Sequence, residues 1–239
     1  MGNGSLKSLT ILKSLNSLKS LLLIDTALET ASVAIAREGM VLAQRQNSRQ
    51  NDHAAWLHTA IQEVMQEVGV SFSELQAVGV TDGPGSYTGL RVGLSAAKGI
   101  CYAKNIPLIT VSSLQVLAGA VAEKAEDLIM ALIDARRDEV YIGVFDRKLN
   151  IVLPEQSLVI TPETFPGSFA NRKVLLCGSG AGKVMRLIKN NDFVLVEIKN
   201  INKYLAYSTY EKIKDNKLSN LPYHEPLYLK NNYTTPKGI

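Results

Sequence analysis

At 239 residues, with 46% hydrophobic and 20% charged side chains, the chain can bury a substantial core and build one large domain or two small ones. Its longest apolar runs, such as Leu21 to Ile24 and Val174 to Leu176, fall far short of the roughly 20 residues that a membrane-spanning helix needs. A net charge of +4 excludes a strongly acidic or basic chain, and the two cysteines, Cys101 and Cys177, match no metal-ligand spacing. They read as buried thiols in a reducing compartment, which places the chain in the cytoplasm.

The first twenty residues alternate Leu, Ser and Lys. Lys7, Lys13 and Lys19 interrupt what would have to be an apolar signal core, so residues 1–20 are expected to be a disordered leader outside the fold. From Leu21 the pattern changes. LLLID reads as a buried strand ending in Asp25, and ASVAIARE with MVLAQRQ alternates around Gly39 as a hairpin, so three antiparallel strands open the domain. Asp52 is placed to cap a helix whose Ala54, Leu57, Ile61, Val64 and Val68 share one face, and Gly69 is placed to stop it. Leu75 to Val80 follows as a strand, DGPGSYTG as a turn, Leu90 to Ala103 as a helix, IPLITV as a strand and Ser113 to Ala122 as a helical stretch. Three antiparallel strands followed by αβ alternation predict a mixed sheet flanked by helices, as in RNase H-like domains.

The second half repeats the pattern in shortened form. LIMALID ends in Asp134, EVYIGVFD and IVLPEQSLVI complete a second meander, and a short helix is expected over Pro162 to Ala170. The strand VLLCG, a helix over Ala181 to Lys189, the strand FVLVEI and a helix over Asn202 to Lys214 finish the chain. The predicted division is a leader at 1–20, a first lobe at 21–124 carrying the dimerisation helices, and a smaller second lobe at 125–239.

DGPGSYTGLRVG, residues 82–93, is the most glycine-rich stretch that could serve chemistry. A Walker A loop needs Lys and Ser or Thr after its last glycine, where this chain has Leu90 and Arg91; a dinucleotide fingerprint needs its third glycine one residue earlier than Gly89. What remains is a strand-to-helix turn with a generic capacity to meet an anion. On the helix that follows, Gly89, Gly93, Ala96 and Ile100 share a narrow stripe, and two glycines cost about 1 kcal/mol each in helix propensity. Close approach of another backbone would offset that cost. The spacing leaves open whether that backbone belongs to the chain's own sheet or to a partner.

LLLIDTALETASVAIA, then GPGSYTGLRVG within residues 78–118, then IDARRDEVY and the terminal EPLYLKN together resemble the TsaB (YeaZ) family from Leu21 to about Tyr233. The resemblance implies an α/β fold of two RNase H-like lobes of the actin, hexokinase and Hsp70 superfamily (ASKHA). It also implies a noncatalytic, dimerisation subunit of the machinery that places threonylcarbamoyl on N6 of the tRNA adenosine beside the anticodon. The implied partners are the catalytic paralog TsaD, the ATPase TsaE, tRNA through the assembled complex and, for the free protein, a second copy; ATP and metal are expected on the partner subunits, with no cofactor bound here for catalysis. Where the paralog carries an HxxxH metal pair, the matching segment of this chain is Ser112-Ser113-Leu114-Gln115-Val116-Leu117, in which both histidines are absent.

The residues themselves agree with a noncatalytic reading. Of the three histidines, His53 and His58 stand about 140° apart round their helix, read as a surface and an interface-flanking residue, and do not assemble a site with His224. Ser86 and Ser95 have no base nearby in sequence. The expected interface comprises Leu57, Ile61, Val64, Tyr87, Gly89, Arg91, Gly93, Ala96, Ala97 and Ile100, with the glycines giving clearance and the aliphatic side chains apolar area. Asp25 and Asp134 could be a vestigial nucleotide or phosphate site; otherwise each carboxylate caps the turn after its strand, accepting N–H from Ala27 or from Ala135 and Arg136. Lysine and arginine outnumber acids from Asn171 onward, Lys183, Arg186 and Lys189 falling in one helix, which suits either a solvated face or tRNA phosphate contact. The alternatives are a metal-dependent, glycoprotease-like hydrolase and an autonomous ATP-dependent transferase.

Overall fold

A computed structural model describes residues 20–49, 52–164, 169, 171–188 and 191–230. The leader up to residue 19, most of the helix expected over 162–170 and residue 189 at the end of another lie outside the described residues. Strand β1 (Ser20–Asp25) starts within the expected leader by one residue and pairs antiparallel with β2 (Ala31–Arg37), which pairs antiparallel with β3 (Met40–Asn47). The β2–β3 turn places Glu38 and Gly39 at positive φ, the geometry that glycine relieves in a tight hairpin.

Helix α1 (His53–Val68) ends as its sequence indicates, with Gly69 in the left-handed region and Val70 N–H donating to the Met65 carbonyl at 2.9 Å. Its start differs from expectation: Asp52 occupies the N-cap but its side chain caps nothing. Strand β4 (Leu75–Thr81) runs parallel to β1, helix α2 (Tyr87–Lys104) follows the glycine turn, and β5 (Leu108–Val111) runs parallel to β4. The first sheet has the order β3-β2-β1-β4-β5.

Helix α3 (Ser113–Gly119) leads to β6 (Leu128–Asp134), β7 (Glu139–Asp146) and β8 (Ile151–Val159), then β9 (Val174–Cys177), α4 (Ala181–Leu187) and β10 (Phe193–Leu195). The second sheet has the order β10-β9-β6-β7-β8, which is the order of the first, with its meander antiparallel and β9 and β10 parallel to β6. Two RNase H-like sheets in one chain match the doubled pattern of the sequence and the ASKHA arrangement that the family resemblance implies.

Two layers flank the first sheet. α1 and α2 cover its outer face, where Leu22, Ile24, Val33 and Val78 pack with Leu57, Ile61, Val64, Leu94 and Ala97. The inner face meets the second lobe through one shared core holding Leu21, Leu23 and Ile109 of one sheet, Ile129, Ala131 and Phe145 of the other, and Leu114 and Leu205 between them. Every residue of β1 is buried because the strand is covered on both sides.

The last helix crosses from the second half of the chain to the first sheet. α5 (Asn202–Lys214) belongs to the second half in sequence but packs across β1 to β5 of the first sheet. Asn200 and Asn202 each donate to Gln44 Oε1 at 3.0 Å, Ser32 Oγ donates to Asn202 Oδ1 at 3.0 Å, and Lys212 Nζ donates to the Thr110 carbonyl at 2.7 Å. The inner face of the first sheet would otherwise leave its apolar side chains in water, and α5 supplies the cover. Among the described residues no helix is long and apolar enough to cross a membrane.

Candidate docking face and inter-lobe cleft

α2 is held to the sheet by the turn that follows β1. Ser86 caps the helix by accepting from Gly89 N–H at 3.2 Å, its own N–H donates to the Ala27 carbonyl at 2.8 Å, and Thr26 Oγ1 donates to the Gly89 carbonyl at 2.6 Å. A Cβ on Gly89 would run into the Thr26 carbonyl oxygen, and one on Gly93 into Thr26 Oγ1. The two glycines therefore give clearance to this chain's own β1 turn.

This corrects the expected interface at residue level. Leu57, Ile61, Val64, Gly89, Gly93 and Ala97 are buried against the chain's own sheet and offer a partner no surface. Spacing shows that such residues share a stripe, but a helix lying on a sheet turns its apolar and small stripe inward, because that is where apolar area leaves water. Tyr87 and Arg91 are exposed, while Ala96 and Ile100 are half-buried.

The outer face of α2 carries a compact cation–aromatic cluster. The Arg91 guanidinium lies 4.0 Å from the centroid of the Tyr87 ring, and Arg91 Nε donates to the Tyr228 hydroxyl at 3.2 Å. The Tyr87 and Tyr228 rings are 5.4 Å apart, and both side chains remain about half exposed. Tyr228 comes from the terminal EPLYLKN segment, whose spacing contains no signal that would bring it to α2. Tyr102, 83% exposed, extends the same helix's surface.

The strand-end aspartates have separate fates. Asp25 has no exposed surface; its Oδ1 accepts from Ala27 N–H at 3.2 Å and from the Thr81 hydroxyl, while Oδ2 has no partner among the described residues. Burial pushes its carboxyl up to about 6 against the pull of those hydrogen bonds. Asp134 is exposed, and its Oδ1 accepts from Arg136 N–H at 2.7 Å and from the Lys183 ammonium at 2.8 Å. Burial raises its pKa in part, yet the hydrogen bonds from Lys183 and Arg136 and the charges of Lys183 and Arg186 bring it below the ordinary value. Each carboxylate thus caps its turn at the residue two positions on, while Ala135 N–H, also expected at Asp134, donates to the Glu139 carbonyl at 3.1 Å.

A cleft separates the lobes at these turns. One arm, about 440 Å³, is lined by Ser86, Thr88, Asp134, Arg136 and Lys230; the other, about 680 Å³, shares Leu28, Glu29 and Ser179 and extends to Ile201. Asp134 lines the cleft and Asp25 does not, so the two carboxylates do not form a pair suited to a metal–phosphate group. Among the described residues no three His, Cys, Asp or Glu side chains come together as metal ligands.

The remaining chemistry-bearing side chains serve the fold. Ser112 caps α3 by accepting from Gln115 N–H at 3.3 Å and donates to Glu155 of the second lobe, while Val116 is fully buried. His53, expected at the surface, is buried, and burial lowers its pKa despite a backbone hydrogen bond at Asn47 and the charge of Asp52. His58 is exposed, and His224 Nε2 lies 2.9 Å from Asp82 Oδ2, a contact that sequence spacing does not reveal. Cys101 and Cys177 are buried thiols, both pushed up to about 12 by that burial and so held away from the reactive thiolate form.

The chain is similar along most of its length to proteins of one family. A family model described as TsaD, tRNA N6-adenosine threonylcarbamoyltransferase, matches residues 40–232. The tRNA threonylcarbamoyladenosine biosynthesis protein TsaB of Bacillus subtilis (strain 168) is 30% identical over 174 residues, 72% of this chain and 76% of the relative. The chain belongs to the TsaB (YeaZ) family. The TsaB protein of Haemophilus influenzae is 29% identical over 237 residues, covering 91% of this chain and 96% of its own. The solved structure of YeaZ from Pseudomonas aeruginosa superposes with a TM-score of 0.76 at 27% identity, covering 89% of this chain and all of that one. The family is that of tRNA threonylcarbamoyladenosine biosynthesis proteins, and in this TsaB-family chain the glycine-rich turn serves to seat α2.

Proposed function

We propose that this chain is the noncatalytic partner subunit that binds and activates TsaD in threonylcarbamoyl transfer to N6 of the tRNA adenosine beside the anticodon. The observation that carries the reading is the exposed Tyr87–Arg91–Tyr228 cluster on a helix whose opposite face is locked to the sheet. Aromatic and arginine side chains on a rigid support are the residues that concentrate binding energy at interfaces. The segment from Ser112 to Leu117, which the resemblance matches to the paralog's metal pair, has no histidine and is occupied with capping by Ser112 and packing by Ser113, Leu114, Val116 and Leu117.

In this reading the docking face is the outer surface of α2, redrawn around Tyr87, Arg91 and Tyr228, whereas Ala96 and Ile100 pack against the core shared with α1. The same face supports self-association when TsaD is absent. ATP and metal belong to the partner subunits, TsaE contributes the ATPase, tRNA is engaged through the assembled complex, and the assembly works in the cytoplasm. The test is co-expression with TsaD followed by measurement of modified tRNA with and without this protein. Omission is expected to abolish modification, and Tyr87→Ala with Arg91→Ala is expected to weaken TsaD binding at least about tenfold. Modification that proceeds unchanged without this chain would overturn the proposal.

A further inference from the structure

Residues 219–230 follow an irregular path that touches each part of the molecule in turn. Ser219 N–H donates to the Leu108 carbonyl at 2.9 Å, and Ser219 Oγ accepts from Thr110 N–H at 3.0 Å, so the segment starts on the β5 edge of the first sheet. Lys98 of α2 donates to the His224 carbonyl at 2.9 Å. At the glycine turn, His224 meets Asp82 and Leu227 N–H donates to the Asp82 carbonyl at 2.7 Å. Tyr228 then joins Tyr87 and Arg91, and two residues later Lys230 Nζ donates to the Ala135 carbonyl at 2.9 Å and pairs with Glu139. Lys230 thus grips the turn between β6 and β7 on the second-lobe rim of the cleft.

We propose that residues 219–230 are a strap coupling the outer face of α2 to the second lobe, so that a partner seated on Tyr87, Arg91 and Tyr228 tightens the 134–139 turn. The inference rests on the docking reading for the identity of the face but not for the coupling itself. Two residues reach about 7 Å when fully extended, so Tyr228 has little freedom to move without drawing on Lys230. Burial and the like charges of Arg137 and Arg136 lower the Lys230 pKa, with Asp134 acting against them. The turn it holds has two internal hydrogen bonds of 3.1 Å, from Ala135 N–H to the Glu139 carbonyl and from Glu139 N–H to the Arg136 carbonyl, and these amides report its opening.

Amide hydrogen exchange on the full chain tests the coupling. In the free protein, Tyr228→Ala is expected to speed exchange at Ala135 and Glu139 about fivefold while β6 amides keep their wild-type rates, and Tyr228→Phe, which keeps the ring, is expected to recover most of the protection. Unchanged rates at Ala135 and Glu139, or equal loosening of the whole second lobe, would overturn the strap. In a second arm purified TsaD is added. Protection is expected at α2 and at 135–139 in the wild type, and at α2 alone in Lys230→Met. Protection of α2 without 135–139 in the wild type overturns the coupling. Protection of neither overturns the docking reading, and the free-chain arm then decides the strap.

Discussion

The first lobe closes its central strand on a carboxyl sealed from water, whereas the second closes the equivalent strand on a carboxylate that stays exposed and ion-paired. Strand order is the same in both sheets, so the difference comes from what covers each turn. The turn after Asp25 lies under the first turns of α2, an 18-residue helix, and Thr26 and Ala27 bind Gly89 and Ser86 directly. The turn after Asp134 faces the 7-residue α4, whose Lys183 reaches over to neutralise it. A long, close-packed helix makes one lobe a sealed platform and leaves the outer face of α2 exposed. The shorter helix leaves the other lobe an open rim on the cleft.

The largest effects are expected where the platform is sealed. Gly89→Leu should cost more than about 3 kcal/mol, because its side chain has to displace the Thr26 backbone and not a flexible tip. Leu57→Ala should cost about 3 kcal/mol by opening a cavity beneath α1. Chemical denaturation of the two variants measures both. Wild-type stability in either would return these residues to a surface role. Gly93→Leu, which a partner-facing stripe would tolerate in the monomer, should likewise destabilise the fold through Thr26 Oγ1.

The two aspartates should give stability profiles of opposite slope. Asp25 has a raised folded pKa of about 6, so its protonated form is favoured in the fold; that advantage is full below about pH 4 and is lost as pH climbs through about 6. Asp25→Asn should therefore gain on the wild type across that window, by up to about 3 kcal/mol at pH 7 to 8. Thermal melts at pH 4, 6 and 8 would show the widening gap, and a constant gap would contradict a buried ionisation. Asp134 has a lowered folded pKa, so its contribution is present above about pH 4 and fades as pH falls through the folded value. Because its side chain is 42% exposed, solvent screening limits the loss in Asp134→Ala to about 1 kcal/mol at pH 7, shrinking on acidification.

The smallest effect distinguishes the helices by their glycines. Gly182 of α4 has nothing within 4 Å of an added Cβ, so Gly182→Ala should be neutral or raise stability by about 0.5 kcal/mol through helix propensity. A loss comparable with that of Gly89→Leu would mean that the second lobe's helix is packed as tightly as the first's.

Much of the fold was legible because it rests on local periodicity. The meanders follow from alternation, the end of α1 from Gly69, and the doubling from two strand-ending aspartates at matching places. The capping of the Asp25 and Asp134 turns was legible too, since an aspartate reaches N–H groups two residues on. The proposed docking face was legible only in part. The glycine stripe was visible on α2, but an identical stripe serves a partner's helix or the chain's own turn, and 63 residues separate Thr26 from the Gly89 carbonyl it binds. His53 had the polarity of a surface residue, but its side chain lies buried in the first turn of α1.

The amino-acid sequence by itself determined the order of strands and most of the helices and carried the family motifs, since alternation, helical spacing and turn residues are local signals. Only the tertiary structure decided that α5 covers the first sheet, that Leu57 and Gly93 face inward, and that Tyr228 reaches Tyr87 and Arg91 to complete the exposed face. Those outcomes depend on which apolar surfaces still lack cover once every local element has formed, a quantity set by the packing of the whole chain.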